Sequence, residues 1–144
     1  MEIMMSVRII IDSASDLTKE QADKLGLDFL PLKTIFGTEE YLDGITLSHQ
    51  QFYEKLIESD CMPTTSQIPP HDFEQLYADV KEKKDTAVVI TLSSRLSGTF
   101  QSAILHWMVM KIVLRSLTAK MYVLANRILV MYAMPSQRCR CFCL

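Results

Sequence analysis

The chain of 144 residues is 49% hydrophobic with a net charge of −2, which suits one globular domain with a substantial core and gives no reason to expect a nucleic-acid partner. The near-neutral total hides a division, because all seventeen acidic residues lie at or before Asp85 with eight of the fifteen basic ones, and the seven Lys and Arg beyond it have no acid among them; one evolved domain seldom shows such segregation. Glu2 interrupts the opening residues and no apolar run approaches about 18 residues, so neither a leader nor a transmembrane segment is expected and a cytoplasmic location is the default.

Residues 7–11 are apolar and β-branched, as a strand buried on both faces of a parallel sheet is. Asp12, Ser13, Ala14, Ser15 and Asp16 follow as a hydroxyl-bearing loop, in which Ser15 or Asp16 is placed to cap a helix over 19–25 that stops at Gly26. Residues 27–36 contain Pro31 and predict a strand that begins at or just after that proline. Strand, helix and strand make a right-handed βαβ unit. Residues 37–42 read as a turn or short hairpin, and Asp43-Gly44 as a tight turn. Ser48 then caps a helix with Phe52, Leu56 and Ile57 at helical spacing. Three prolines between 62 and 70 predict irregular structure. In that stiff loop Thr64, Thr65, Ser66 and Gln67 serve equally well as a ligand clamp or as a solvated linker. A helix starting at Pro70 puts Phe73, Leu76, Tyr77 and Val80 on its buried side.

Residues 87–92 are the next apolar, β-branched strand. Ser93, Ser94, Ser97 and Thr99 then supply four hydroxyls around Gly98, which lets the backbone approach a ligand or adopt positive φ. With a helix from Phe100 onward, the N–H groups of its first turn point at the same place and suit a carboxylate or phosphate. The same hydroxyls also serve as ordinary helix caps. Open α/β sheets bind ligands at the carboxyl ends of their strands, so the loops 12–15 and 93–99 are predicted to face one crevice. No Gly-x-Ser-x-Gly occurs, and His49, His71 and His106 have no Ser or Cys partner in sequence, so no catalytic residue is predicted. Cys61 stands alone and Cys139, Cys141 and Cys143 crowd the end with no acid or His nearby, which predicts neither a disulfide framework nor a metal site.

Three segments in order, Asp12-Ser13-Ala14-Ser15-Asp16, Pro63-Thr64-Thr65-Ser66-Gln67 and Leu92-Ser93-Ser94-Arg95-Leu96-Ser97-Gly98-Thr99, resemble the DegV family of bacterial fatty-acid-binding proteins. Asp43 ahead of a helix bearing Phe52-Tyr53 fits the same pattern, so the resemblance runs over residues 5–105. It implies an α/β fold with a parallel or mostly parallel sheet flanked by helices. It also implies a long-chain fatty acid as ligand, with no other cofactor, and a fatty-acid kinase partner that phosphorylates the presented carboxylate. Carried over by motif, the carboxylate-binding residues are Thr65, Ser94, Ser97, Gly98 and Thr99. Asp12, Ser13, Ser15, Ser66, Gln67 and Ser93 are further candidates for the cleft. The family's second domain, which supplies cationic or imidazole groups to the head-group site, is expected to be absent from this chain.

From His106 the family pattern lapses, and it returns at 127–133. A shifted reading frame accounts for the gap. Read from the third base of each codon, Trp107 into Met108 must encode Asp, Met108 into Val109 Gly, and Met110 into Lys111 Glu. The overlaps through Asn126 then permit Arg-Ile-Ala-Val-Val-Asp-Ser-Lys-Asn-Val-Cys-Ile-Gly-Glu, a buried strand with an Asp-Ser loop. The expected organisation is therefore a DegV-like lipid-binding domain over 1–105 and a segment over 106–144 that is out of frame except at about 127–133. The alternative takes the tail at face value: an apolar stretch over 108–134, with Lys111, Arg115, Lys120 and Arg127 spaced along it, forms a basic amphipathic helix for an anionic membrane surface or a partner groove.

Overall fold

The computed structural model describes residues 6–110 and the strand Leu114–Thr118, with side chains as far as Leu105. In chain order the elements are β1 (Val7–Asp12), a 3-10 turn (Ser13–Ser15), α1 (Lys19–Leu25), β2 (Asp28–Leu30), β3 (Lys33–Phe36), β4 (Glu39–Leu42), α2 (His49–Glu58), β5 (Thr64–Ser66), α3 (Pro70–Glu82), β6 (Thr86–Thr91), α4 (Thr99–Met110) and β7 (Leu114–Thr118). Strands β2, β1, β6 and β7 lie side by side in that order, every pair parallel. Successive β1 side chains enter two cores. Ile10 packs with Leu30, Ala87 and Val89 against Phe73, Tyr77 and Val80 of α3 and Ala103 of α4. Ile9 and Ile11 pack with Phe29 and Ile90 against Leu17 and Ala22. Burial on both faces is why β1 and β6 are written as unbroken apolar runs.

A second sheet, of order β4-β3-β5, is antiparallel, and it accounts for two departures from the sequence reading. Pro31 ends a strand rather than starting one: residues 28–30 extend the parallel sheet and residues 33–36 enter the antiparallel one. Proline has no N–H to continue the first ladder, so the chain changes sheets at that point. Residues 62–70 are also not wholly irregular. Pro63 and Pro69 lie outside Thr64–Ser66, and those three residues pair with β3 in the register Ile35↔Thr64, Thr34↔Thr65, Lys33↔Ser66.

The cap of α1 is Thr18 rather than Ser15 or Asp16. Thr18 Oγ1 accepts from the Gln21 amide and the Gln21 side chain accepts from the Thr18 amide. The apolar side of α2 is also less covered than its spacing predicts: Ile57 is 86% and Tyr53 64% exposed, while Phe52 stacks edge-on against Phe36, with centroids 5.7 Å apart. Past α4 the chain does not form one helix over 108–134, because Leu114–Thr118 is a strand beside β6. Residues 119–144, with the terminal cysteines and most of the shifted-frame segment, lie outside the described residues.

Candidate functional site

Because β1 and β6 are adjacent and parallel, the loops leaving their carboxyl ends meet. Asp12 ties them together: its Oδ2 accepts the Leu92 amide at 2.6 Å. Ser15 Oγ donates to the Asp12 carbonyl at 2.8 Å and Ser13 Oγ accepts the Leu32 amide at 3.1 Å. Those polar contacts hold the backbone of the first loop and of the sheet-switching segment after Pro31.

The loop from β6 to α4 folds on its own serines. The Ser93 carbonyl accepts the amides of Leu96 and Ser97 at 2.9 and 3.1 Å, and Ser93 Oγ accepts the Arg95 amide at 3.3 Å. Ser97 Oγ accepts the Thr99 amide at 3.2 Å, taking up one donor of the first turn of α4. It also lies 2.9 Å from Thr99 Oγ1, which accepts the Ile68 amide at 3.3 Å. Thr99 thus staples the start of α4 to the segment that leads into α3.

A cleft of about 240 Å³ opens where these loops face β5. Thr65 and Gln67 line it from β5 and the residue after it, Ser97 and Gly98 from the start of α4, and Leu32, Leu92 and Leu96 supply its apolar surface. The Gln67 amide nitrogen reaches Ser102 Oγ at 3.5 Å. Gly98 serves close approach rather than positive φ: a Cβ there would lie 1.7 Å from Gln67 Oε1, and Gly98 is not among the residues with positive φ.

Of the residues singled out from sequence, Thr65, Gln67, Ser97 and Gly98 therefore come together around the cleft. Ser94 is exposed on the same loop, and Ser66 is half-buried with its Oγ donating to the Gln67 carbonyl at 3.3 Å. Asp12, Ser13, Ser15, Ser93 and Thr99 are buried and do not line it. The three leucines were missed. Leu92, at the carboxyl end of the predicted strand 87–92, and Leu96, in the serine loop after it, carried a signal, whereas Leu32 stood at the start of a predicted strand and carried none.

Among the described residues, no charged side chain lines the cleft. Arg8, the cation of β1, sits at the opposite end of the sheet and bonds Asp28 at 2.9 and 2.6 Å as well as Asp79. His71 contacts Gln75 and Glu74 on α3, and His49 is exposed at the start of α2. Among the described residues there is no cluster of three His, Cys, Asp or Glu able to hold a metal ion, and no helix long and apolar enough to cross a membrane. Burial pushes the Asp12 carboxyl up to about 6, against the amides of Leu92, Ala14 and Asp12 itself, which favour its charged form.

The DegV family profile, described as "Uncharacterised protein, DegV family", matches residues 6–134. A DegV domain-containing protein of Clostridium perfringens is 39% identical over 102 residues, covering 71% of this chain and 37% of the relative. Among solved structures, that of a fatty-acid-binding DegV family protein from Thermus thermophilus gives a TM-score of 0.81 at 28% identity, covering 91% of this chain and 47% of that one. DegV of Bacillus subtilis, a fatty acid binding protein, gives 0.75 at 28% identity, with the same two coverages. The chain thus spans less than half the length of these relatives. With the mixed α/β fold, the parallel sheet and a profile match that takes in all three loops, the chain belongs to the DegV family.

Proposed function

We propose that the chain binds a long-chain fatty acid, with the carboxylate held at the start of α4 and the first methylenes against Leu32, Leu92 and Leu96. The observation that supports this best is the meeting of Thr65, Ser97 and Gly98 with those three leucines around one cleft. Hydroxyl and backbone donors beside three leucines suit an amphiphile with an anionic end. The first turn of α4 adds amide donors and the positive end of the helix dipole. In this reading Thr65, Ser97 and Gly98 contact the carboxylate, exposed Ser94 closes over it from the same loop, and buried Thr99 fixes Ser97 from behind. Asp12, Ser13, Ser15 and Ser93 set the loops, while Ser66 and Gln67 shape the β5 wall.

The cleft volume of about 240 Å³ is below the roughly 300–1,000 Å³ of pockets that enclose a whole ligand. The head group and the near end of the chain fit there, and the far end needs further apolar cover. The binder acts as a carrier without a covalent step: the described site offers a serine but no base beside it. Its role is to present the acyl carboxylate to a fatty-acid kinase, in the cytoplasm where the phosphoryl donor is available.

Lipid extraction and mass spectrometry of the purified chain should release palmitate or a similarly long fatty acid. The double variant Thr65→Val, Ser97→Ala should retain at least about tenfold less, since hydrogen bonds to a charged group are worth about 1.5–3 kcal/mol each. A chain that is purified empty and takes up no added palmitate defeats the reading.

A further inference from the structure

We propose that Asp12 and Thr91 form a buried proton site behind the cleft, so that binding of a fatty-acid carboxylate is coupled to uptake of one proton by Asp12. This deepens the fatty-acid reading and rests on it. The two residues are 1% and 2% exposed. Ile11 pairs with Ile90 in the parallel register, so the next positions, Asp12 and Thr91, lie side by side with their side chains on one face of the sheet. Asp12 Oδ2 accepts the Leu92 amide, but Asp12 Oδ1 and Thr91 Oγ1 are buried without a hydrogen-bond partner. An ionised carboxylate buried this deeply is costly even with backbone amides facing it, whereas a protonated one gains a donor beside the Thr91 hydroxyl.

Among the described residues, no cation pairs with Asp12. The turn after β1 carries only Asp16, which is exposed. On β2, Asp28 is the partner of Arg8 at the far end. Strand β6 has no titratable residue, the loop after it carries only exposed Arg95, and α4 has none as far as Leu105. On α3, Tyr77 donates its hydroxyl to the Ala103 carbonyl. The other titratable residues of that helix, His71, Asp72, Glu74, Asp79, Lys81 and Glu82, lie off the face made by Phe73, Tyr77 and Val80.

Leu92 links the proton site to the ligand site, since its amide holds Asp12 Oδ2 and the residue itself lines the cleft. Two carboxylates held on either side of Leu92 resist being ionised together, and the proton goes to the one whose charged form is worse solvated. That is Asp12, whose affinity for a proton is already raised by burial, while the ligand carboxylate has hydroxyl and amide donors around it. Below the pKa of empty Asp12 it is protonated in both states, and binding moves no proton. Above it, binding draws one proton from solvent, and affinity falls by up to about tenfold per pH unit until Asp12 ionises in the complex too.

The test is calorimetric titration of the full 144-residue chain with dodecanoate, in buffers of different ionisation enthalpy, at about pH 5.5 and about pH 7.5. Uptake of about half to one proton is expected at the higher pH and little at the lower, with affinity at least about tenfold weaker at the higher pH. Asp12→Asn keeps an acceptor for the Leu92 amide, and in that variant both the uptake and the pH-dependent loss of affinity should vanish. Tight binding without proton uptake at the higher pH, or uptake that persists in Asp12→Asn, overturns the proton site and leaves the fatty-acid reading standing. Failure to bind dodecanoate at either pH overturns both. Should the variant not fold, the two wild-type proton counts still decide.

Discussion

Replacing Asp12 with Asn should change the stability of the ligand-free chain in opposite directions at low and neutral pH. The carboxyl is pushed by burial from 3.8 to about 6. Between those values the folded chain holds a proton that the unfolded chain has released. The stabilisation associated with this group is therefore fully present below about pH 4 and is lost as pH rises through about 6. Roughly two units at about 1.4 kcal/mol each make a cost near 3 kcal/mol at pH 7, and the group is 1% exposed, so solvent screening takes little from it. Asparagine does not ionise and still offers an oxygen to the Leu92 amide, but it buries an NH2, a loss of about 1–2 kcal/mol where that group finds no acceptor. Asp12→Asn should accordingly be destabilised by about 1 kcal/mol at pH 4 and stabilised by about 1–2 kcal/mol at pH 7. Urea unfolding followed by circular dichroism at several pH values between these gives the difference directly. Other titrating groups, such as Glu39 and Asp79, whose carboxyls are held below the usual range by Lys55 and Lys83, shift both proteins alike and cancel. A difference that stays constant with pH, or that runs the other way, refutes the assignment of the cost to Asp12.

Gly98→Ala places a methyl group where Gln67 Oε1 now lies. Gln67 is exposed and can swing away, giving up its bond to Ser102, so thermal melting should move little while palmitate affinity drops about tenfold; an unchanged affinity rejects the close-approach role. Lys84 holds φ 58° just past α3, where its amide bonds the Lys81 carbonyl and the Asp85 amide bonds that of Val80. Glycine is the usual residue in such a helix ending, and Lys84→Gly should raise stability by about 0.5–1 kcal/mol in urea titration, a loss counting against strain there. Tyr77→Phe removes the hydroxyl that donates to the Ala103 carbonyl at 3.2 Å and should cost about 1 kcal/mol, measured the same way, with a neutral effect showing that the bond does not join α3 to α4. For the shifted reading frame, sequencing the encoding DNA from His106 to Asn126 should reveal Asp-Gly-x-Glu one base away, and its absence ends that idea.

How far the sequence could be read depended on where each signal resides. Strands β1 and β6 were legible because burial on both faces leaves an unbroken apolar, β-branched run. Helix α3 was legible because Pro70 marks its start and Phe73, Tyr77 and Val80 keep its period. The second sheet was not. Thr64–Ser66 has no apolar pattern, and its pairing with Lys33–Phe36 joins segments about thirty residues apart, so nothing local announces it. Pro31 marks a boundary but not which side of it is strand, because the three residues of β2 depend on the ladder that β1 offers.

At the site, hydroxyl spacing located the loops without telling which hydroxyls are available. Ser93, Ser97 and Thr99 look equivalent in sequence, yet Ser93 and Thr99 are buried and bonded to backbone while Ser97 both braces α4 and lines the cleft. Bracing α4 therefore does not keep Ser97 from facing the cleft. Asp12 was still less legible, because its burial and its amide partner eighty positions away are both tertiary. An apolar residue at position 12 would leave the Leu92 amide unpaired at the end of β6, which explains an acceptor there but not a carboxylate. A neutral acceptor would meet the same amide without the cost of buried ionisation. What the carboxyl adds is the capacity to change charge, so the informative property of Asp12 is its proton rather than its hydrogen bond.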